Sequence, residues 1–184
     1  MKYRLRIIIA LLFVCLVSVA GGRVPVYAET VRVVHVDGDI NAANTALVKR
    51  SLADAEAQGD AALIVTLDSS GGSREQAVKI SDLLTGSAVP TIAYVSPRAR
   101  SVAALIALSC RHIVMAPGGS IGATDTEPAK DTEELKGKFS QVATMTGKNP
   151  RLIEAMTDKS LGYSNYAEPG QLLTLSDTQA KAVN

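Results

Sequence analysis

The sequence predicts a single α/β domain: a mostly parallel sheet built from βα repeats, with flanking helices. Three observations carry that expectation. Short β-branched or aliphatic runs alternate with helical stretches along the chain. One of these runs, ALIVTL at 62–67, is apolar except for Thr66, the pattern of a buried parallel strand. The chain of 184 residues has room for one ordinary domain and not comfortably for two.

The first 28 residues stand apart from that pattern. Lys2, Arg4 and Arg6 precede an apolar run from Ile7 to Ala20, and VYA ends at Ala28. A secretory signal peptide cleaved after Ala28 is expected, with an uncleaved N-terminal membrane anchor as the rival reading. The apolar run is shorter than the roughly 20 residues a spanning helix needs. In either case residues 29–184 would lie outside the cytoplasm, secreted or membrane-associated. Cleavage would remove four basic and no acidic residues, taking the net charge from +1 to −3. No basic surface for nucleic acid is implied. Cys110 would then be the sole cysteine, which rules out an internal disulfide in the mature chain.

The elements follow in order. VRVVHV (31–36) is a strand and DGD turns the chain. NAANTALVKRSLADAEAQG then places Ala43, Leu47, Ser51 and Ala55 on one helical face, widened by Val48 and Leu52, with Gly59 as the stop. ALIVTL is the second strand, and a helix from Ser73 carries Ala77, Ile80 and Leu84. TIAYV (91–95) is the third strand, an apolar helix follows Ser101, and HIVMA (112–116) is the fourth strand. DTEE (131–134) reads as a capping box that starts a helix just after Lys130, with Leu135, Phe139 and Val142 on its buried face. Asn149 and Pro150 supply a cap and a first-turn proline for the next helix. AEPGQ (167–171) is a turn, expected in a hairpin, and LSDTQAKAVN begins a last helix.

Two strand-to-helix junctions carry candidate chemistry. In DSSGGS (68–73), Gly71 and Gly72 permit close backbone approach. That pair is either an ordinary tight turn or a source of amide donors for a developing oxyanion. At the next such junction Ser101 is either a helix cap or a nucleophile. In a parallel sheet with right-handed crossovers both junctions gather at the carboxyl ends of the strands, where sites form. His35 lies within the first strand and His112 opens the fourth, so both read as packed or edge histidines rather than as a general base. Lys130 sits before its helix, in a loop able to lean into a site, whereas Lys136 and Lys138 read as helix-surface residues. A lysine serves as a base only when its environment lowers its pKa towards neutrality.

VDGDI, LDSSGG, YVSP, the serine-led apolar helix, VMAPGGSIGA, TGKNP and the late LLTLS follow one another along the chain. In this succession the sequence resembles the NfeD family of membrane-associated serine proteases, which have the Clp protease and crotonase type of fold. The resemblance runs from about Val31 to the last residue, and VMAPGGSIGA is its most specific stretch. It implies that Ser101, seventeen positions before Gly118, is the nucleophile and that Lys130 is its base. It further implies an oxyanion hole from Gly71 and Gly72, with the amide of Val102 as a further donor. No metal or organic cofactor is required, and the sequence offers no metal-ligand cluster. The implied substrates are hydrophobic segments of membrane-associated proteins, with stomatin-like proteins as partners. A homo-oligomer is compatible with the scaffold.

This sequence departs from the family in reading Ser101-Val102-Ala103 for Ser-Ala-Gly, and Ser70 for the proline before the glycine pair. A catalytically inactive Clp-fold module that binds peptides or a membrane partner is therefore the alternative. A crotonase-like acyl-CoA enzyme is disfavoured, because Asp125 and Glu127 lie in a polar loop context and the chain is expected outside the cytoplasm. The resemblance also leads one to expect a further strand beyond Asn184, so a C-terminally truncated or naturally short form is anticipated.

Overall fold

The computed structural model describes residues 29–124 and 129–183, with side chains throughout except at 129–132. The segment expected to be a signal peptide or anchor, 1–28, lies outside the described residues. In order, the elements are β1 (Val31–Asp37), α1 (Ala42–Gln58), β2 (Ala62–Ser69), α2 (Arg74–Thr85), β3 (Thr91–Arg100) and α3 (Val102–Ser109). They continue with β4 (His112–Met115), β5 (Ser120–Gly122), α4 (Ala129–Thr146), α5 (Pro150–Thr157), β6 (Thr174–Ser176) and α6 (Asp177–Ala182). One sheet runs β1-β2-β3-β5-β6, with β4 also on β3. Every pairing is parallel except β5 with β6, so the α/β architecture with a mostly parallel sheet and flanking helices is the observed one.

Strand β3 is the pivot. Ile92–Val95 pairs with β4, whereas Arg98, Ala99 and Arg100 pair with β5. Between those halves the register to β2 slips: Leu67 faces Val95, but Ser69 faces Ala99. The extra β3 residues bulge out, and the strand resumes to end directly against Ser101. The stretch after Val95, expected to be loop, is thus largely strand. The short strand β5 was not anticipated.

The strands are covered on one face only. Val34, Val36, Leu63, Val65, Leu67, Ala93 and Val95 are buried with the helices, while Val33, Tyr94 and Val114 are exposed. Helix α3 is the centre of the core: all eight of its residues are buried, and it packs on α2, α4, β2, β3 and β4. A helix apolar all round is stable only in such a position. Burying its Leu and Ile side chains contributes about 1.5–3 kcal/mol each.

Most boundaries follow from local chemistry. Asn41 accepts from the amides of Ala43 and Asn44, and Gly59 closes α1 in the left-handed region at φ 67°. The buried stripe of α1 is Val48, Leu52 and Ala55. Ala43 is exposed and Ser51 only half-buried, because α1 covers the edge strand and meets the core along a narrow seam. Ser73 caps α2, and Ala77, Ile80 and Leu84 are buried as expected. Leu135, Phe139 and Val142 form the buried face of α4. That helix begins at Ala129, so Lys130 lies within its first turn and Asp131 is inside the helix rather than at a cap. Pro128, the preceding residue in the sequence, suits such an early start. Asn149 caps α5, with Pro150 in its first turn. The turn at 168–171 closes through Gln171 N–H donating to the Glu168 carbonyl (3.0 Å). It is not the turn of a β5–β6 hairpin, since the strand that follows pairs with β5, far back in the sequence.

One surface ion pair makes a testable contribution. Lys136 donates to Asp158 (2.9 Å), and Ser160 donates to the same carboxylate through its hydroxyl (2.6 Å) and its amide (2.9 Å). The Ser160 hydroxyl and Lys136 hold the Asp158 carboxyl well below its usual range. A depressed folded pKa contributes stability above the unfolded value of about 3.9, lost as pH falls towards the folded value. Urea midpoints are therefore expected to stay level at neutral pH and to drop below about pH 4. Asp158→Asn should remove that part of the acid dependence, at a cost below about 1 kcal/mol because the pair is partly solvated.

Candidate active site

Ser101 joins β3 to α3 with no intervening loop, so one residue must reverse the chain. It does so at φ 54° and ψ −132°, a conformation that costs a non-glycine residue about 1–3 kcal/mol. Its side chain makes no capping hydrogen bond, so the cap reading fails for the hydroxyl although the residue occupies the cap position. Ser101 instead lines a cavity of about 850 Å³ whose walls come from α2 and α4, among them Val78, Leu135 and Lys138. Gly72 and Val102 line the same cavity.

The glycine pair is built around this serine. A Cβ placed on Gly71 would lie 3.1 Å from Ser101 Cβ and 3.3 Å from Oγ. A Cβ on Gly72 would collide with the backbone nitrogen of Ile40. Both glycines have φ near +135°, where side chains are strained. The loop is fixed by Ile40, whose amide donates to the Gly71 carbonyl (2.8 Å) and whose carbonyl accepts from Ser73 N–H (2.8 Å). This is a parallel bridge centred on Gly72, so the Gly72 amide points away from Ile40. The Gly71 amide is engaged differently: it donates to Ser69 Oγ (3.1 Å), which in turn donates to the Gly71 carbonyl (3.0 Å). Ser69, which sequence reasoning missed, is buried and clamps the loop where a proline would otherwise stiffen it. The Val102 amide opens α3 and has no carbonyl one turn back to bond.

Gly72→Ala is expected to destabilise the fold by more than about 1 kcal/mol, since it combines a positive φ with a backbone collision. Denaturant titration checks this. Stability equal to wild type would mean that the bridge to Ile40 is not formed.

The remaining candidates sort clearly. The structure brings Ser101, Gly71, Gly72 and Val102 together. Lys130 has its backbone in the first turn of α4, and its side chain lies outside the described residues. Lys138 is not a plain surface residue: it lines the cavity, its side chain is 12% exposed, and it donates to Asp82 (2.5 Å) and Gln141 (3.0 Å). Lys136 is likewise ion-paired. His35 is exposed on β1 and bonded to Thr66 Oγ1 (2.7 Å), and His112 is exposed at the start of β4; neither lines the cavity. Cys110 is fully buried, and burial pushes its thiol up to about 12, so it stays protonated and unreactive. Lys148, in the TGKNP stretch, donates to the Cys110 carbonyl (2.6 Å), and burial lowers its pKa from the ordinary lysine value. Among the described residues no group of His, Cys, Asp and Glu is placed to hold a metal ion. None of their helices is long and apolar enough to cross a membrane.

Comparison with known proteins identifies the family and the fold. Residues 30–184 match the family model described as NfeD1b, N-terminal domain. The chain is 32% identical to the membrane protein NfeD1b of Bacillus subtilis over 181 residues, covering 93% of this chain and 41% of that protein. It is 29% identical to the membrane-bound protease PH1510 of Pyrococcus horikoshii over 153 residues, covering 74% of this chain and 35% of that protein. The chain thus spans well under half the length of these relatives. Among solved structures it resembles the 1510-N membrane-bound stomatin-specific protease, in a lysine-to-alanine mutant form complexed with a substrate peptide. There the TM-score is 0.74 and the identity 25%, covering 86% of this chain and 74% of the other. ClpP1 from Listeria monocytogenes shares the fold, with a TM-score of 0.63, 19% identity, and coverage of 83% of this chain and 86% of the other.

Proposed function

The chain belongs to the family of NfeD1b N-terminal domains, and from that premise we propose that it is a serine endopeptidase using a Ser101–Lys130 dyad. Its similarity to membrane-bound and ClpP-like proteases supports a protease at the level of the family. The observation that carries the finer reading is the strained Ser101, which lines a cavity of about 850 Å³ together with Gly72 and Val102.

In this reading neutral Lys130 Nζ takes the proton of Ser101 Oγ, and Oγ attacks the carbonyl carbon of a peptide. The amides of Gly72 and Val102 hold the oxyanion, and Gly71 allows the loop to lie against the serine. The lysine then gives its proton to the departing amine as the C–N bond breaks. Water, deprotonated by the same lysine, releases the acyl group as a carboxylate and restores Ser101. Substrate lies extended beside a strand edge near the glycine pair. The substrates are hydrophobic segments of membrane-associated, stomatin-like proteins, and the reaction takes place outside the cytoplasm.

A second reading, an inactive module that binds a peptide in the same cleft, is favoured by one observation: Val102 and Ala103 replace the family's Ala-Gly. Against it, the Ala103 methyl is fully buried in the core and leaves the cavity at Ser101 open. Treating the full chain with a fluorophosphonate probe and mapping the adduct by mass spectrometry decides between them. A single adduct on Ser101 is expected. A folded chain that takes up no probe would sink the peptidase reading in favour of the binding module.

A further inference from the structure

A residue at φ 54° and ψ −132° persists only where its surroundings over-determine it. Beyond the first turn of α3, the hydrogen bonds to the Ser101 peptide groups come from one place, the exit of β5. The Ser101 amide donates to the Gly122 carbonyl (3.2 Å), and the Ser101 carbonyl accepts from Thr124 Oγ1 (3.1 Å). Thr124 is fully buried and does not line the cavity, so any effect it has on the site passes through Ser101. It is also well anchored: its own amide donates to the Met156 carbonyl in α5 (2.9 Å), and the neighbouring Ala123 amide donates to the Leu173 carbonyl (2.8 Å). The nucleophile's peptide groups are thereby tied on both sides to a rigid strand end, which is itself tied to α5 and to the segment leading into β6.

We propose that Thr124 is a positioning residue for the nucleophile: its buried hydroxyl, bonded to the Ser101 carbonyl, locks the strained backbone that aims Oγ into the cavity. The inference rests on the reading of Ser101 as the nucleophile. The chemistry favours a direct test. The Ser101 carbonyl also accepts from the Ala104 amide (3.0 Å), so losing the Thr124 hydroxyl leaves no buried carbonyl without a partner. Valine has the shape of threonine without the donor, and serine keeps the donor without the methyl.

The test uses the full chain and a fluorophosphonate probe, separating the maximal inactivation rate from the half-saturating probe concentration. Thr124→Val and Thr124→Ala are expected to slow maximal inactivation about tenfold or more, with half-saturation unchanged, because misaiming a reacting atom acts on the chemical step. Thr124→Ser should stay within about twofold of wild type. If Thr124→Val does not fold, the serine and alanine variants, both lacking the methyl, still isolate the hydroxyl. Equal inactivation rates in wild type and all folded variants, with only the thermal midpoint lowered, would make Thr124 a packing residue and overturn the inference. A wild type that is never labelled would overturn the reading of Ser101 and this inference with it. A labelled wild type with indifferent variants would overturn the inference alone.

Discussion

Ser101→Ala is expected to abolish fluorophosphonate labelling and any peptide cleavage, a loss of at least about a thousandfold, while leaving the fold intact. The two halves of that expectation have separate physical grounds. Alanine removes the proposed attacking atom, and among the described residues lining the cavity no other carries a hydroxyl or thiol to substitute for it. Cys110, the one cysteine among the described residues, is buried and held as a neutral thiol. Stability should hardly move, because the serine side chain makes no capping bond to lose and alanine meets the same backbone strain at φ 54°. A thermal midpoint within a few degrees of wild type is anticipated, equivalent to about 0.5 kcal/mol or less. Marked destabilisation, or labelling that survives, would mean that the hydroxyl has a structural role or that another group reacts.

Lys130→Ala should cause a loss of the same order, with Lys136→Ala and Lys138→Ala retaining activity. A base needs a free lone pair on nitrogen. Lys136 is paired with Asp158 and Glu133, and Asp158 raises its pKa, so it keeps its proton. Lys138 has its ammonium committed to Asp82 and Gln141. Lys130→Arg should fail as completely as alanine, since a guanidinium stays protonated under any condition at which the protein folds. The wild-type inactivation rate should rise with pH as the lysine loses its proton. Because Lys138 lines the cavity with Ser101, it is the informative control. If Lys138→Ala were inactive and Lys130→Ala active, the base would have to be reassigned to α4's second turn or beyond.

Much of this architecture is legible from periodicity and punctuation. Gly59, Ser73 and the Asn149-Pro150 pair mark helix ends because caps depend on the residue itself and its nearest neighbours. The stripe Leu135, Phe139, Val142 is readable for the same local reason. What escaped is non-local. Arg98 and Arg100 carry no strand signature, yet they are strand because β5 and Ser69 offer partners across a bulge. β5 is only three residues long, too short for alternation to register, and its partners lie far away in sequence. At the site, serine at a helix start reads as a cap, and no property of the residue reveals its positive φ or its hydrogen bonds to the distant Gly122 and Thr124. The burial of Lys138 depends on Asp82 in another helix. The Ser69 clamp was likewise invisible, although a serine two residues before a glycine in a turn is a local pattern that could have suggested it.

Helix α3 is flanked by Ser101, the proposed nucleophile, at its N-cap position and by Cys110, whose carbonyl Lys148 holds, at its C-cap position. Its peptide dipoles add along the axis, so the end at Val102 is the positive pole and the end at Cys110 the negative one. The half-buried Lys148 places its ammonium at the negative pole, while Val102, at the positive pole, lines the cavity. Charge developing beside Ser101 would therefore meet a field oriented before any substrate arrives, and one maintained in part by a lysine at the far end of the helix.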